Sequence, residues 1–131
     1  MSASRIVDGP GFRIRYDNQP GYLRAHVYDG VDSRQVSVAM WRMLADECRA
    51  HGATRLLLLE ELRGSIDRGE LEETIDAMDH AGLAAFRIAF VELLDDIEGN
   101  EYGEILCRER GIIVRVFSDE DTARRWLLYG D

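Results

Sequence analysis

Apolar and polar side chains alternate in two short stretches between residues 12 and 28. Phe12, Ile14 and Tyr16 are separated by arginines, and a second alternation follows over residues 22–28. Successive side chains of a β-strand point to opposite faces, so each stretch predicts a half-buried strand. The turn-forming residues 17–21 lie between them and predict an antiparallel hairpin. Residues 1–10 are expected to form a flexible lead-in.

The rest of the chain changes repeatedly between helical and strand periodicity. The run Leu56–Leu59 is too short for a helix and predicts a central strand that is buried on both faces. Strands that alternate with helices favour right-handed crossovers and a largely parallel sheet. We therefore expect one α/β domain over residues 11–131, with a five-stranded mixed sheet and about four helices. The other predicted elements are helices near 33–50, 67–82 and 98–110, a short closing helix around 123–127, and strands near 86–91 and 112–117.

The charge of the chain and its choice of basic residue exclude several kinds of function. The formal net charge is −9, and all sixteen basic side chains are arginine. A phosphate-binding loop of the Walker type and Schiff-base chemistry both need a lysine. A chain this acidic repels nucleic acid and anionic surfaces, and it has no apolar stretch of the roughly eighteen residues that a membrane helix needs. We therefore expect neither a nucleic-acid partner nor insertion into a membrane.

Cysteine and histidine are too sparse to predict a metal or a cofactor. Cys48 and Cys107 are far apart and are interpreted as two reduced thiols in a cytoplasmic protein. Cys48 and His51 lie one helical turn apart and could supply two zinc ligands, but a zinc site needs at least one more. No combination of serine, histidine and acid is recognisable, so we assign no catalytic residue.

The order of elements resembles a known family. A hairpin followed by three helix–strand units and a closing helix is similar to the STAS domain (sulfate transporter and anti-sigma factor antagonist). The likeness is greater to small stand-alone bacterial STAS/SEC14-like proteins. It rests on core patterns in Gly52–Leu59 and Phe86–Val91, and on Arg115–Phe117 followed by Ala123 and Trp126–Leu127.

The resemblance implies a regulatory serine. Anti-sigma factor antagonists carry a phosphorylatable serine at a helix start just after the central strand, and Ser65 lies in that neighbourhood. The family's aspartate before the serine and glycine after it are missing, since the stretch reads Glu60-Glu61-Leu62-Arg63-Gly64-Ser65-Ile66-Asp67. Ser65 is thus a candidate regulatory site, and the alternative is an ordinary turn or capping residue.

Acidic side chains follow two neighbouring strands of the predicted sheet. The carboxyl ends of parallel strands share one edge of a sheet, where ligands of α/β folds bind. Carboxylates held together there could bind a hard cation such as Mg²⁺, or separate their pKa values for acid–base chemistry. The alternative is a solvated rim on an acidic protein. The candidate residues are Glu60, Glu61, Glu92, Asp95 and Asp96.

The polar face of the hairpin is a candidate interface. Arginine and tyrosine are enriched in protein interfaces, and an edge strand exposes unpaired backbone groups. We expect this face to bind a protein partner or to contribute to a homodimer. The alternative is a solvent-exposed face on which long side chains pack across the strands. Its residues are Arg13, Arg15, Tyr22, Arg24, His26 and Tyr28.

Together these features predict a non-enzymatic, STAS-like regulatory or interaction module that binds a protein partner or a small ligand. Two other functions stay open. One is the binding of an apolar or lipid-like ligand, by analogy with the SEC14 side of the resemblance. The other is a small metal-dependent hydrolase that uses the acidic edge of the sheet.

Overall fold

The computed structural model describes residues 4–64, 66–94 and 97–130, and within them the chain forms one sheet flanked by helices. The strands are β1 (Ser4–Gly9), β2 (Phe12–Gln19), β3 (Tyr22–Val31), β4 (Arg55–Arg63), β5 (Arg87–Glu92) and β6 (Ile113–Phe117). The helices are α1 (Arg34–Ala50), α2 (Arg68–His80), α3 (Ile97–Glu109) and α4 (Glu120–Tyr129), with a short 3₁₀ turn at Leu83–Ala85. None of the helices in these ranges combines the length and apolar character that a membrane span requires.

The strands lie in the sheet in chain order, from β1 to β6. The pairs β1–β2 and β2–β3 are antiparallel, whereas β3, β4, β5 and β6 run parallel to one another. The prediction of an α/β fold with a mixed sheet and four helices is confirmed. The predicted number of five strands is wrong, because the sheet has six.

The additional strand is β1, which lies in the residues expected to form a lead-in. It is an edge strand, and Ser4, Arg5 and Ile6 are exposed. Only Val7 packs against the main core. An edge strand with so little buried surface has no reason to alternate apolar and polar residues, so the pattern that predicts half-buried strands is missing here.

The two faces of the sheet carry two hydrophobic cores. Leu56 and Leu58 belong to the larger core, which packs against α1, α2 and α3. Leu57 and Leu59 point to the other face, where Ala123 and Leu127 of α4 cover them. All four leucines are at most 3% exposed. The prediction of a central strand buried on both faces is confirmed.

Candidate functional site

A cavity of about 80 Å³ lies on the face of the sheet that α1, α2 and α3 cover, near the carboxyl end of β4. A water molecule needs roughly 10–15 Å³ of such space, so the cavity has room for several waters or for a small ligand. Its walls are lined by Asp32, Ser37, Trp41, Glu60, Ile66, Leu71, Thr74, Ile75, Met78, Phe90, Asn100, Gly103, Glu104, Cys107, Val114 and Val116.

Glu60 contributes a buried carboxylate to this cavity. It is the last residue of β4 that pairs with β5, and its partner in the register is Glu92. Both glutamates are buried, at 6% and 5% exposure. The side chain of Glu92 is held from two sides, since Asn100 Nδ2 donates to Oε2 at 2.7 Å and the backbone N–H of Leu94 donates to Oε1 at 3.0 Å. Glu92 therefore ties the end of β5 to α3, while Glu60 lines the cavity.

The helices supply the other polar groups of the cavity. Ser37, at the start of α1, donates from its hydroxyl to Asp32 Oδ1 at 2.8 Å. Thr74, which is almost fully buried in α2, donates from its hydroxyl to the backbone oxygen of Glu70 at 3.0 Å. These bonds fix the positions of the side chains at the mouth and the wall of the cavity.

The remaining wall is apolar and aromatic. The rings of Trp41 and Phe90 lie with their centroids 6.3 Å apart, and Met78 and Ile75 are buried beside them. Cys107 also lines the cavity, and burial raises the pKa of its thiol to about 12. The thiol is therefore neutral near pH 7 and is not a nucleophile there, since the thiolate is the reactive form.

The charged side chains that line the cavity all have the same sign. They are the carboxylates Asp32, Glu60 and Glu104, and none of the described lining residues is basic. A ligand that enters this cavity therefore meets carboxyl groups on one side and apolar, aromatic side chains on the other.

The acidic edge predicted from the sequence is only partly assembled. Glu60 and Glu92 lie side by side, as expected. Glu61 points to the opposite face of the sheet, where one carboxylate oxygen lies 3.2 Å from His26 Nε2. This separation follows from the alternation of side chains along β4. Asp95 and Asp96, like the candidate regulatory residue Ser65, lie outside the described residues.

In the described part of the chain, no three histidine, cysteine, aspartate or glutamate side chains form a group that could hold a metal ion. Cys48 is buried in the main core, and burial raises its pKa to about 12. His51 lies on the surface, with its Nε2 atom 2.8 Å from Glu47 Oε2. The two residues, which are one helical turn apart, thus have separate surroundings.

The hairpin face is divided between an anchored half and an open half. Arg24 is bound by α4: its Nε and Nη2 atoms donate to the two carboxylate oxygens of Glu120 at 2.6 and 3.1 Å, and Nη1 donates to Asp17 Oδ2 at 3.1 Å. Tyr22 packs against the second core beneath the same helix. These two candidates for the interface thus serve to dock α4.

The open half of the hairpin face carries the other four candidates. The side chains of Arg13 and Arg15 are about half exposed, at 53% and 50%, and Arg13 lies between Asp8 and Asp29. The rings of His26 and Tyr28 are tilted against each other, with centroids 5.1 Å apart. The arginines here are already near acidic partners of their own chain, Arg13 near Asp8 and Asp29 and Arg15 near Asp17.

The helices contribute site residues that the sequence did not reveal. Trp41, Thr74 and Asn100 come from three different helices and reach the cavity only through the packing of those helices on the sheet. Trp41 flanks the apolar stripe of α1 in the sequence, where it is indistinguishable from an ordinary core residue. Of the residues that line the cavity, only Glu60 could be recognised from the sequence as a site candidate, because it is a charged residue that directly follows the apolar run of β4.

Comparisons with known proteins add little to this geometry. No family model matches the chain, and no curated protein matches it. Among solved structures, the chain is similar to one chain of the Pseudomonas malonate decarboxylase MdcD–MdcE hetero-dimer. The TM-score is 0.49 and the sequence identity is 18%, over 86% of this chain and 55% of that chain. The chain thus spans about half the length of that subunit, and we draw no function from the likeness.

Proposed function

We propose that this chain is a non-enzymatic binding module whose cavity takes a small ligand with a positively charged head and a short apolar body. The observation that carries the proposal is the cavity of about 80 Å³ with carboxylates on its polar side and rings on its apolar side. Ligand sites are concave and mostly apolar, with a few placed polar groups, and this cavity has that composition.

The chemistry of the lining supports a cationic ligand. An ammonium group gains electrostatically from a buried carboxylate such as Glu60 and from the faces of nearby aromatic rings. Trp41 and Phe90 supply such rings in the same wall. An anionic ligand would be repelled by Asp32, Glu60 and Glu104.

The size and surroundings of the cavity favour this function over the two alternatives. A lipid chain needs far more room than about 80 Å³. A metal-dependent hydrolase needs a converging set of ligands beside an open position, and Glu60 and Glu92 are supplemented by no third histidine, cysteine or carboxylate in the described part of the chain. Binding a small ligand without catalysis requires neither the room for a lipid chain nor a set of metal ligands.

The STAS-like regulatory role and the cytoplasmic location stay predictions from the sequence. The cavity is compatible with a regulatory module, since a ligand that binds beneath α1, α2 and α3 alters the stability of those helices. A role for Ser65, which lies outside the described residues, would be a separate property.

Isothermal titration with butylammonium, butanol and butyrate tests the proposal. Butylammonium should bind with a stoichiometry of one, and the neutral and anionic analogues should bind at least about tenfold more weakly, because they cannot pair with the carboxylates. Glu60→Gln removes one of the three carboxyl groups that line the cavity and should weaken the preference for the cation.

Glu61→Gln is the matched control, because it removes the neighbouring charge from the opposite face of the sheet. It should leave the affinity for butylammonium unchanged. Equal affinity for all three probes, or equal loss in both variants, would contradict the proposal.

A further inference from the structure

The free edge of β6 lies at the bottom of a groove between two helices. Within the described residues β6 pairs with β5 alone, so its other edge presents unpaired backbone groups. The half of the groove near the start of β6 holds about 500 Å³, and the half near its end holds about 280 Å³. Glu104 of α3 lines both halves, and α4 lines the other side through Trp126 and Thr122. A further strand would lie in this groove and complete the hydrogen bonds of the edge.

The two ends of this groove carry opposite charges. Arg108 lines the end near the start of β6, where its side chain is 73% exposed and its Nη2 atom lies 3.3 Å from Glu104 Oε1 on the same helix. Glu101 and Asp119 line the end near the close of β6, and both are exposed. Arg115 of β6 lines the same end as Arg108, with its guanidinium 5.6 Å from the ring centroid of Phe117. Along the α3 side of the groove, the charge therefore changes from positive to negative.

The exposed stripe of α3 repeats this arrangement around a central apolar residue. Glu101, Ile105 and Arg108 are spaced by four and three residues and lie on one side of the helix. Ile105 is 51% exposed, as is Ile113 at the start of β6. A large exposed apolar residue between two opposite charges is a pattern that pairs with its own copy in the reverse direction.

We infer that the β6 groove binds the β6 edge of a second copy of this chain, in an antiparallel pair around a two-fold axis. In such a pair the start of one β6 meets the end of the other, so Arg108 approaches the partner's Glu101 and Ile105 approaches its own copy. Opposite charges at the two ends of the stripe make such a two-fold contact self-complementary. The two sheets would then form one continuous sheet, and the β6 edge of each copy would occupy the groove of the other.

Charge reversal on α3 tests this inference by sedimentation velocity of the full chain at micromolar concentrations. The chain should be a dimer. Arg108→Glu should weaken the dimer at least about tenfold, because it sets two glutamates against each other at both ends, and Glu101→Arg should weaken it equally. The double variant Glu101→Arg with Arg108→Glu should restore the affinity of the original chain.

The control is Arg13→Glu, which reverses another exposed arginine, on the open half of the hairpin face. It should leave the dimer intact. A monomer at the highest concentration measured would overturn the inference, as would a dimer that is insensitive to both single variants. A dimer lost through Arg13→Glu and retained in Arg108→Glu would place the contact on the hairpin instead. Circular dichroism of each variant separates dissociation from loss of fold.

Discussion

Glu60 and Glu92 lie directly opposite each other on β4 and β5, with both side chains on the face of the sheet that α1, α2 and α3 cover. Glu61, one residue further along β4, points to the other face and reaches His26. The strand thus separates two adjacent glutamates into one that lines an internal cavity and one that lies on the surface. This pair of neighbours makes the role of the cavity testable, because each glutamate is the control for the other.

The bond between Asn100 and Glu92 should stabilise the fold. Asn100→Ala removes a hydrogen bond of 2.7 Å to a buried carboxylate, and the loss should lower the free energy of unfolding by about 1–3 kcal/mol. Urea unfolding at pH 7 measures this difference. Glu109→Ala, on the exposed end of the same helix, should change it by less than about 0.5 kcal/mol. Equal effects of the two variants would mean that the bond contributes nothing.

The leucine run should be the most sensitive part of the core. Leu58→Ala opens a cavity in the larger core and Leu57→Ala opens one beneath α4, and each should cost about 2–5 kcal/mol. Ile113→Ala is a suitable comparison, because Ile113 is 51% exposed and should cost less than about 1 kcal/mol. Denaturant midpoints of the three variants give the ranking directly. A similar cost for Leu57→Ala and Ile113→Ala would contradict burial of the second core.

The ion pair between Arg24 and Glu120 should make the docking of α4 depend on pH. Arg24 lowers the pKa of Glu120 from its ordinary value of 4.5, mainly through the hydrogen bonds between them. Because the folded pKa is depressed, the stabilisation is complete above pH 4.5 and is lost as the pH falls through the folded pKa.

Arg24→Met should therefore destabilise the chain by about 1–2 kcal/mol at pH 7, a figure that allows for the partial exposure of the pair. The difference between variant and original chain should shrink as the pH falls below 4.5. Urea unfolding at pH 7 and at acid pH compares the two. A difference that grows on acidification would refute the assignment.

Both thiols should be unreactive in the folded chain. Burial is the largest cause that raises the pKa of Cys48 and Cys107 to about 12, so few thiolates exist near pH 8. A chromogenic disulfide reagent should therefore react slowly with the native chain and rapidly with both thiols in denaturant. Rapid reaction of one thiol under native conditions would show that its surroundings open without global unfolding.

Buried strands and helix starts could be predicted from the sequence, whereas an exposed edge strand could not. Leu56–Leu59 are buried by two layers at once, and an unbroken apolar run is the direct result. Asp67 accepts a hydrogen bond from the backbone of Glu70 at 2.9 Å, so the start of α2 could also be predicted. β1 left no pattern, because an exposed edge strand needs none.

The candidate site was only partly predictable for a different reason. Glu60 and Glu92 could be placed at one edge because the order of parallel strands follows from the crossovers. The pairing of Arg24 with Glu120 joins residues 96 positions apart, and the cavity wall combines side chains of three helices. Such contacts depend on how the helices pack, and periodicity within one element does not contain that information.

The two tryptophans provide the most direct test of ligand binding in the cavity. Trp41 lines the cavity, whereas Trp126 lies on the opposite face of the sheet beside Phe117. The chain has two tryptophans, so a ¹H–¹⁵N correlation spectrum shows two indole N–H signals. Titration with butylammonium should shift the signal of Trp41 and leave that of Trp126 in place, and Glu60→Gln should reduce the shift at the same butylammonium concentration. A shift of Trp126 alone, or no shift of Trp41 at saturating butylammonium, would contradict a binding site in the cavity.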